Sequence, residues 1–458
     1  MCNTVTNIEF IGVYGVAAKD LTVGNVKKTM LVFALPYLLS CFLQTFYGLV
    51  DMYVVGLYDS ASVTTAVAIG SQVMHLLTVM IVGLAMGVTV ELGRAIGAHD
   101  FKKAARAVET SVFFFVGLSF VLMVAVILLA KPLTLVMMTP LEARTNTSVY
   151  LVICGAGLPF IVAYNLISSI YRGIGDSRSP LIFIAIACVV NIILDFLFVG
   201  YCGLGANGAA LATILAQAVS VAFSLIMLKK KGLGFETSKE RTHFYRESFR
   251  SVIGVGLPVA LQDGFIQVAF IVITVIANSR GLIVSTSVGV VEKIICFLFL
   301  VPSAFLSAIS AITAQNMGAG KRDRARESLR FGLLVTVSWG LLCFVICQIM
   351  PGVLVGLFRS ESEIITAGSQ YLRAYSIDCV FAALHFCFSG YFCGDQKSGI
   401  SFLHNLISVI FFRIPGTYLA VKMFPNTLYP MGLAAPIGSF VSFLICLGFY
   451  FYYRKKEA

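Results

Sequence analysis

Asn191 and Asp195 stand four residues apart in NIILDFLF, so a helix would carry both on one face. Two further oxygen-bearing side chains lie in comparably apolar surroundings. Asp51 ends the stretch QTFYGLVD (44–51) with no positive charge within four residues, and Thr213 follows the run GLGANGAALA. Two carboxylates, an amide oxygen and a hydroxyl are hard ligands suited to a small hard cation such as Na+, or to a shared proton. Separate helix–helix hydrogen bonds are the alternative use of the same side chains. A carboxylate at the centre of a bilayer helix costs roughly 2.5–3.5 kcal/mol, so these acids call for a function.

The elements that must position them are membrane spans. Of 458 residues, 59% are hydrophobic and 12% charged, and the mean hydropathy is +0.92. A soluble domain carries about 25% charged residues. Length alone would suit two or three soluble domains, but no polar stretch is long enough to form one. A span needs about 20 predominantly apolar residues, and about twelve such segments follow one another between residues 29 and 453. The expected fold is an all-α polytopic membrane protein.

The net charge of +11 does not point to nucleic acid, because of where the charges fall. Twenty-five Lys and Arg residues lie at the N-terminus, at the C-terminus and after every even-numbered span, against six at the alternate loops and their flanks. This bias places both termini in the cytoplasm, with the basic loops against anionic lipid. Residues 1–28 read as a cytoplasmic leader rather than a secretory signal, since Glu9 rather than Lys or Arg precedes the short apolar patch. Twelve cysteines without a C-x-x-C pair read as small buried thiols. GLGANG (203–208) fits a dinucleotide pattern but follows a span rather than a strand, and reads as a turn between helices. Gly83 and Gly87 form a small-x-x-x-small packing face. No hydrolase motif or P-loop occurs, and no organic cofactor is implied.

The chain repeats itself. ALPYLL around Pro36 recurs as GLPVAL around Pro258, 222 residues on, and the loops holding Gly97 and Gly318 match at an offset of 221. VYLVICG (149–155) and QYLRAYS (370–376) keep that offset, and YRGIGDSRSP (171–180) matches YFCGDQKSGI (391–400) with one gap. Equivalent spans are six apart, so the halves run the same way through the membrane. They form an N-lobe (29–228) and a C-lobe (250–453) related by a pseudo-two-fold along the membrane normal, with a pathway between them. Residues 229–249 are a basic cytoplasmic linker and 454–458 a cytoplasmic tail.

The depths of the polar groups agree. At 1.5 Å per residue, Asp195 lies roughly 24 Å up a core about 30 Å thick, and Thr213 roughly 10 Å down from the other side. Asp51, Asn191, Asp195 and Thr213 therefore share one half of the N-lobe. The C-lobe does not copy them: Ile273 stands 222 residues after Asp51. Its candidate polar site comprises Asp263, Glu292, Asp378 and Arg413, either as bracing ion pairs or as a substrate surface. Pro36 removes a helical hydrogen bond and is the candidate hinge of span 1. Gln44 and Tyr47 share a stripe with Asp51 and are expected to face a substrate cavity.

QTFYGLVD, the fifteen residues from Pro36 to Asp51, and NIILDFLF with GLGANGAALAT resemble the multidrug and toxic compound extrusion (MATE) family. The resemblance runs from about residue 29 to 453 and includes the family's two six-helix lobes. The set Asp51, Asn191, Asp195 and Thr213 is similar to that of the DinF-like prokaryotic branch. There the four matching residues form an ion or proton site, Pro36's counterpart bends the first helix, and Gln44's lines the drug cavity. Asp263 and Asp378 lie on helices comparable to those carrying C-lobe acids in other branches. The resemblance implies a monomeric inner-membrane antiporter that exports amphipathic, cationic compounds in exchange for Na+ or H+. A lipid-linked oligosaccharide flippase of the wider superfamily, or a membrane-embedded enzyme or scaffold, are the alternatives.

Overall fold

A computed structural model describes residues 19–235 and 244–457. Most of the leader and the centre of the linker, residues 236–243, lie outside the described residues. Every regular element among the described residues is helical. Among the described residues, nine helices are each long and apolar enough to cross a membrane, and counting each of three bent pairs as one span makes twelve.

Spans 1 to 3 are Val26–Tyr58, Ala61–Gly97 and Phe101–Val136. Span 4 is the pair Leu141–Ala156 and Leu158–Gly173, span 5 is Arg178–Tyr201, and span 6 is Gly205–Lys231. Span 7 is Arg246–Asn278, and span 8 the pair Leu282–Leu298 and Leu300–Gly318. Span 9 is Arg322–Ile349, span 10 the pair Ser362–Tyr375 and Asp378–Gly394, span 11 Ser398–Met423, and span 12 Tyr429–Glu457. Local chemistry sets several starts. Asn25 caps span 1 by accepting from the Lys28 N–H, and Asp100 caps span 3 by accepting from the Lys103 N–H. Asp176 accepts from the N–H groups of Arg178 and Ser179 at the start of span 5.

The bends have identifiable causes. Span 8 turns by 41° at Phe299. Pro302 lacks the N–H that would bond to the Leu298 carbonyl, and the Trp339 indole of span 9 donates to that oxygen instead, at 2.9 Å. Span 4 turns by 49° at Gly157, just ahead of Pro159. Span 10 turns by 43°, and there the Arg373 carbonyl takes its hydrogen bonds from Gln348 and Ser376. Two spans also contain a wide π-helical turn, Phe196–Tyr201 in span 5 and Ser408–Arg413 in span 11.

The 221-residue repeat is visible atom by atom. Gly173 lies against Leu92 and the Thr89 carbonyl, and Gly394 against Thr313 and the Ser310 carbonyl, each contact displaced by that offset. The same left-handed backbone recurs at His99 (φ 55°) and Gly320 (φ 72°), and at Gly175 (φ 90°) and Gln396 (φ 59°). Where the lobes meet, the contact is reciprocal. A Cβ added at Gly97 would overlap the Gln315 carbonyl oxygen, and one at Gly318 would overlap that of Arg94, the residue equivalent to Gln315. The pseudo-two-fold therefore passes between the ends of spans 2 and 8, at the face that carries the basic loops.

A second seam joins span 2 to span 7. A Cβ at Gly87 would overlap the Val252 carbonyl, one at Gly256 that of Leu84, and one at Gly83 would stand 2.8 Å from the Ala260 backbone. Small residues let these helices touch backbone to backbone, so the glycine face seen in the sequence is an inter-lobe face. Substituting Gly97 or Gly318 by Val should prevent this seal. Overpacking costs about 1–3 kcal/mol, which favours separated lobes about 5- to 150-fold. Limited proteolysis of the loop at Ala98–Asp100 should accelerate accordingly, and unchanged cleavage would show that the seal tolerates the added bulk.

Candidate functional site

Span 1 delivers Asp51, span 5 Asn191 and Asp195, and span 6 Thr213, and the four side chains meet inside the N-lobe. Asp195 is 0% exposed, Asn191 2% and Asp51 7%. The Thr213 hydroxyl lies 3.3 Å from Asp51 Oδ2 and 3.0 Å from the Ala209 carbonyl one turn back. The hydroxyl can donate to either oxygen, and holding its proton on Ala209 would free a lone pair for a cation placed between it and the carboxylates. Asp51 faces Asp195 and Asn191. Even so, both Asp195 oxygens, Asp51 Oδ1 and both polar atoms of the Asn191 amide complete no well-formed hydrogen bond.

Buried carboxylates are ordinarily paired. Among the described residues, no Lys or Arg is placed to neutralise this pair; its neighbours are Tyr47, Tyr150, Cys154 and Cys188. Two acids alone are too few for a His/Cys/acid transition-metal site, and the described residues contain no such cluster. The donor set is all oxygen and suits a hard monovalent cation or a proton held between carboxylates. The π turn of span 5 begins at the residue after Asp195, and wide turns of this kind occur frequently at functional sites.

Tyr47 packs against the N-lobe core, facing Gln217 of span 6 and Tyr164 of span 4. Gln44, one turn earlier, is half-buried. Gln217 is 6% exposed with its Oε1 unpartnered. It is a polar group that the sequence reading did not single out, although it lies four residues after Thr213, on the same helical face. Pro36 lies inside the continuous helix of span 1, its carbonyl accepting from the Ser40 hydroxyl at 2.9 Å. The next residue, Tyr37, has the Arg172 guanidinium 5.3 Å over its ring on the N-lobe side and faces Ser307 of span 8 on the other. The proline thus sits where span 1 passes between the lobes.

The C-lobe groups divide. Arg413 lies 3.5 Å from Asp378, which is 0% exposed, and donates to Ser439 at 2.8 Å. Glu292 lies 3.5 Å from the Thr274 hydroxyl and, like this pair, neighbours Tyr371. Asp263 stands apart from the other three, 3.4 Å from Gln262, which in turn accepts from Ser401. The repeat explains one difference between the lobes. Tyr371 is equivalent to Tyr150, which bonds Ser71 at 2.9 Å, and Glu292 occupies the serine's position.

The comparisons with known proteins agree with this architecture. The MatE family model matches residues 36–197 and 258–419, once in each half. The probable multidrug resistance protein YpnP of Bacillus subtilis is 30% identical over 436 residues, covering 95% of this chain and 96% of the relative. The probable multidrug resistance protein NorM of Thermotoga maritima is 24% identical over 414 residues, 88% of this chain and 87% of its own. A solved structure of a multidrug resistance MATE family transporter in an outward-facing conformation superposes with a TM-score of 0.88 at 20% identity, covering 95% and 97% of the two chains. The chain belongs to the MATE family and is, with its two repeated helical lobes, a membrane transporter rather than an enzyme.

Proposed function

We propose that the protein is a secondary antiporter in which Na+ or H+ entering the N-lobe site drives export of an amphipathic, cationic organic compound. The observation that carries this reading is the pair Asp51 and Asp195, buried together with Asn191 and Thr213 and with no cationic side chain among the described residues to balance them. Two neighbouring carboxylates in a low-dielectric site favour bound positive charge, so ion and cationic substrate can displace each other's effect on the same pair. The lobes, 29–228 and 250–453, rock about the seam between spans 2 and 8 to expose the cavity to either side. The basic loops and both termini face the cytoplasm by the Lys/Arg bias, in the inner membrane, and one chain suffices for transport. The anionic pocket also suits a cationic cargo better than the lipid-linked oligosaccharide of a flippase.

Everted vesicles loaded with this protein should accumulate a fluorescent organic cation when an ion gradient is imposed and stop when an ionophore collapses it. Gradient-independent accumulation would contradict antiport. The cavity carries its own test. A Cys replacing Gln44 or Tyr47 should react with a polar thiol reagent and be shielded by the dye, and Tyr47→Ala should change which compounds are exported. Pro36→Ala should slow turnover while dye affinity stays within about twofold, because it restores a backbone hydrogen bond worth about 0.5–1.5 kcal/mol to the bending helix. Lipid-facing, inert thiols at both 44 and 47 would place the pathway elsewhere.

A further inference from the structure

We propose that Glu91, Ser251 and Gln396 form an inter-lobe clasp whose making and breaking sets the pace of transport. This inference rests on the transport reading above.

Glu91 belongs to span 2 of the N-lobe and is 1% exposed, close to the basic face. Its Oε2 accepts from two groups of the C-lobe: the Ser251 hydroxyl at the start of span 7, and Gln396 Nε2, at 3.1 Å, in the turn between spans 10 and 11. Gln396 Nε2 also lies 2.9 Å from Ser251 Oγ, so the three side chains close a triangle across the seam. Within its own lobe Glu91 is balanced by Lys103, 3.4 Å from Oε1. One turn further along span 2, Arg94 lies 3.8 Å from Asp395, which Lys397 also meets at 2.6 Å. The acid and its partners are 160 and 305 residues apart in sequence and share nothing but this seam.

Two observations separate a clasp from incidental contact. The backbone of Gln396 is left-handed, at φ 59°, a conformation that costs any residue with a Cβ and costs glycine nothing. The equivalent N-lobe turn has glycine there: Gly175, at φ 90°. The C-lobe thus holds a strained glutamine where the repeat shows that glycine serves, and strain of this kind persists where the surroundings over-determine it. What Gln396 adds beyond glycine is the amide that reaches Glu91. Within about one turn of each member of the triangle, at Val90, Val255 and Cys393, begins an apolar cluster drawn from both lobes that also holds Met86 of span 2, Val259 of span 7 and Ala314 of span 8. Opening at this face must expose that cluster, and it cannot open until the triangle breaks. Glu91, Ser251 and Gln396 are accordingly positioning residues, acting through the lobe equilibrium and not on the cargo.

Cys393 is a native reporter, 2% exposed within the cluster. In the full-length protein, alkylation of Cys393 by iodoacetamide, quantified by peptide mass spectrometry, should be slow. Gln396→Gly and Ser251→Ala should each raise it at least tenfold and change dye turnover without changing which dyes are carried. Gln396→Gly is the sharper variant, since it relieves the backbone strain and should leave the melting temperature unchanged or higher. Cys446, 0% exposed inside the C-lobe, is the control. Unchanged labelling of Cys393 in both variants overturns the clasp, as does a parallel rise at Cys446, which marks general loosening. Faster Cys393 labelling in a protein whose wild type moves no dye would uphold the clasp and overturn the transport reading instead.

Discussion

Asp195→Asn and Asp51→Asn are each expected to stop ion-driven export while the purified protein melts at or above the wild-type temperature. The two halves of that result have one cause. An amide keeps the shape of the carboxylate but can neither take up and release a proton nor offer a full negative charge to a cation. Coupling is therefore lost outright. The buried charge it replaces costs roughly 2.5–3.5 kcal/mol in a bilayer helix, so removing it should raise stability. Asn191→Ala and Thr213→Ala each take away one neutral oxygen and should weaken ion affinity by about tenfold, roughly one polar contact, without abolishing exchange. Ile273→Asn, at the pseudo-equivalent of Asp51, should leave coupling intact. Efflux of a fluorescent cation from cells, together with thermal melting in detergent, reads both halves. Export at wild-type rates by both aspartate variants would show that the pair is structural.

The opposite stability sign is expected in the C-lobe. Arg413→Gln strands the Asp378 carboxylate, 0% exposed, without its cation at 3.5 Å. Breaking a buried pair from one side destabilises by about 3–5 kcal/mol, and the variant should melt well below wild type. Adding Asp378→Asn to it should recover most of the loss, because the double variant buries two neutral amides. A single variant that melts like wild type would mean that Asp378 is not held as a buried anion, and that this pair does not brace the lobe.

Much of this was legible in the sequence because membrane spans announce themselves by composition. So does the repeat: the register of Gly97 with Gly318 and of Tyr150 with Tyr371 recurs in the structure as equivalent contacts. Asn191 and Asp195 were legible because a four-residue spacing fixes a shared face. The breaks were not. Pro302 marks a missing hydrogen bond, but its replacement by Trp339 comes from another helix, and span 10 bends with no proline at all. Glu91 was invisible for a related reason. A lone acid near the end of an apolar helix reads as an interfacial charge, and only the tertiary fold brings Ser251 and Gln396 to it. Gln217 needed only the four-residue spacing from Thr213, which applies to amides as well as to acids.

On the proposed mechanism the N-lobe acid pair exchanges the coupling ion for the exported cation. The most direct test of that exchange counts ions against cargo in proteoliposomes, with the Na+ and pH gradients imposed separately. One of the two gradients should drive dye across the bilayer, with a fixed number of ions moving the other way per dye. Asp51→Asn should abolish both fluxes together. Dye movement in wild type that neither gradient drives, or an Asp51→Asn protein that still exchanges ion for dye at the wild-type ratio, would contradict the account.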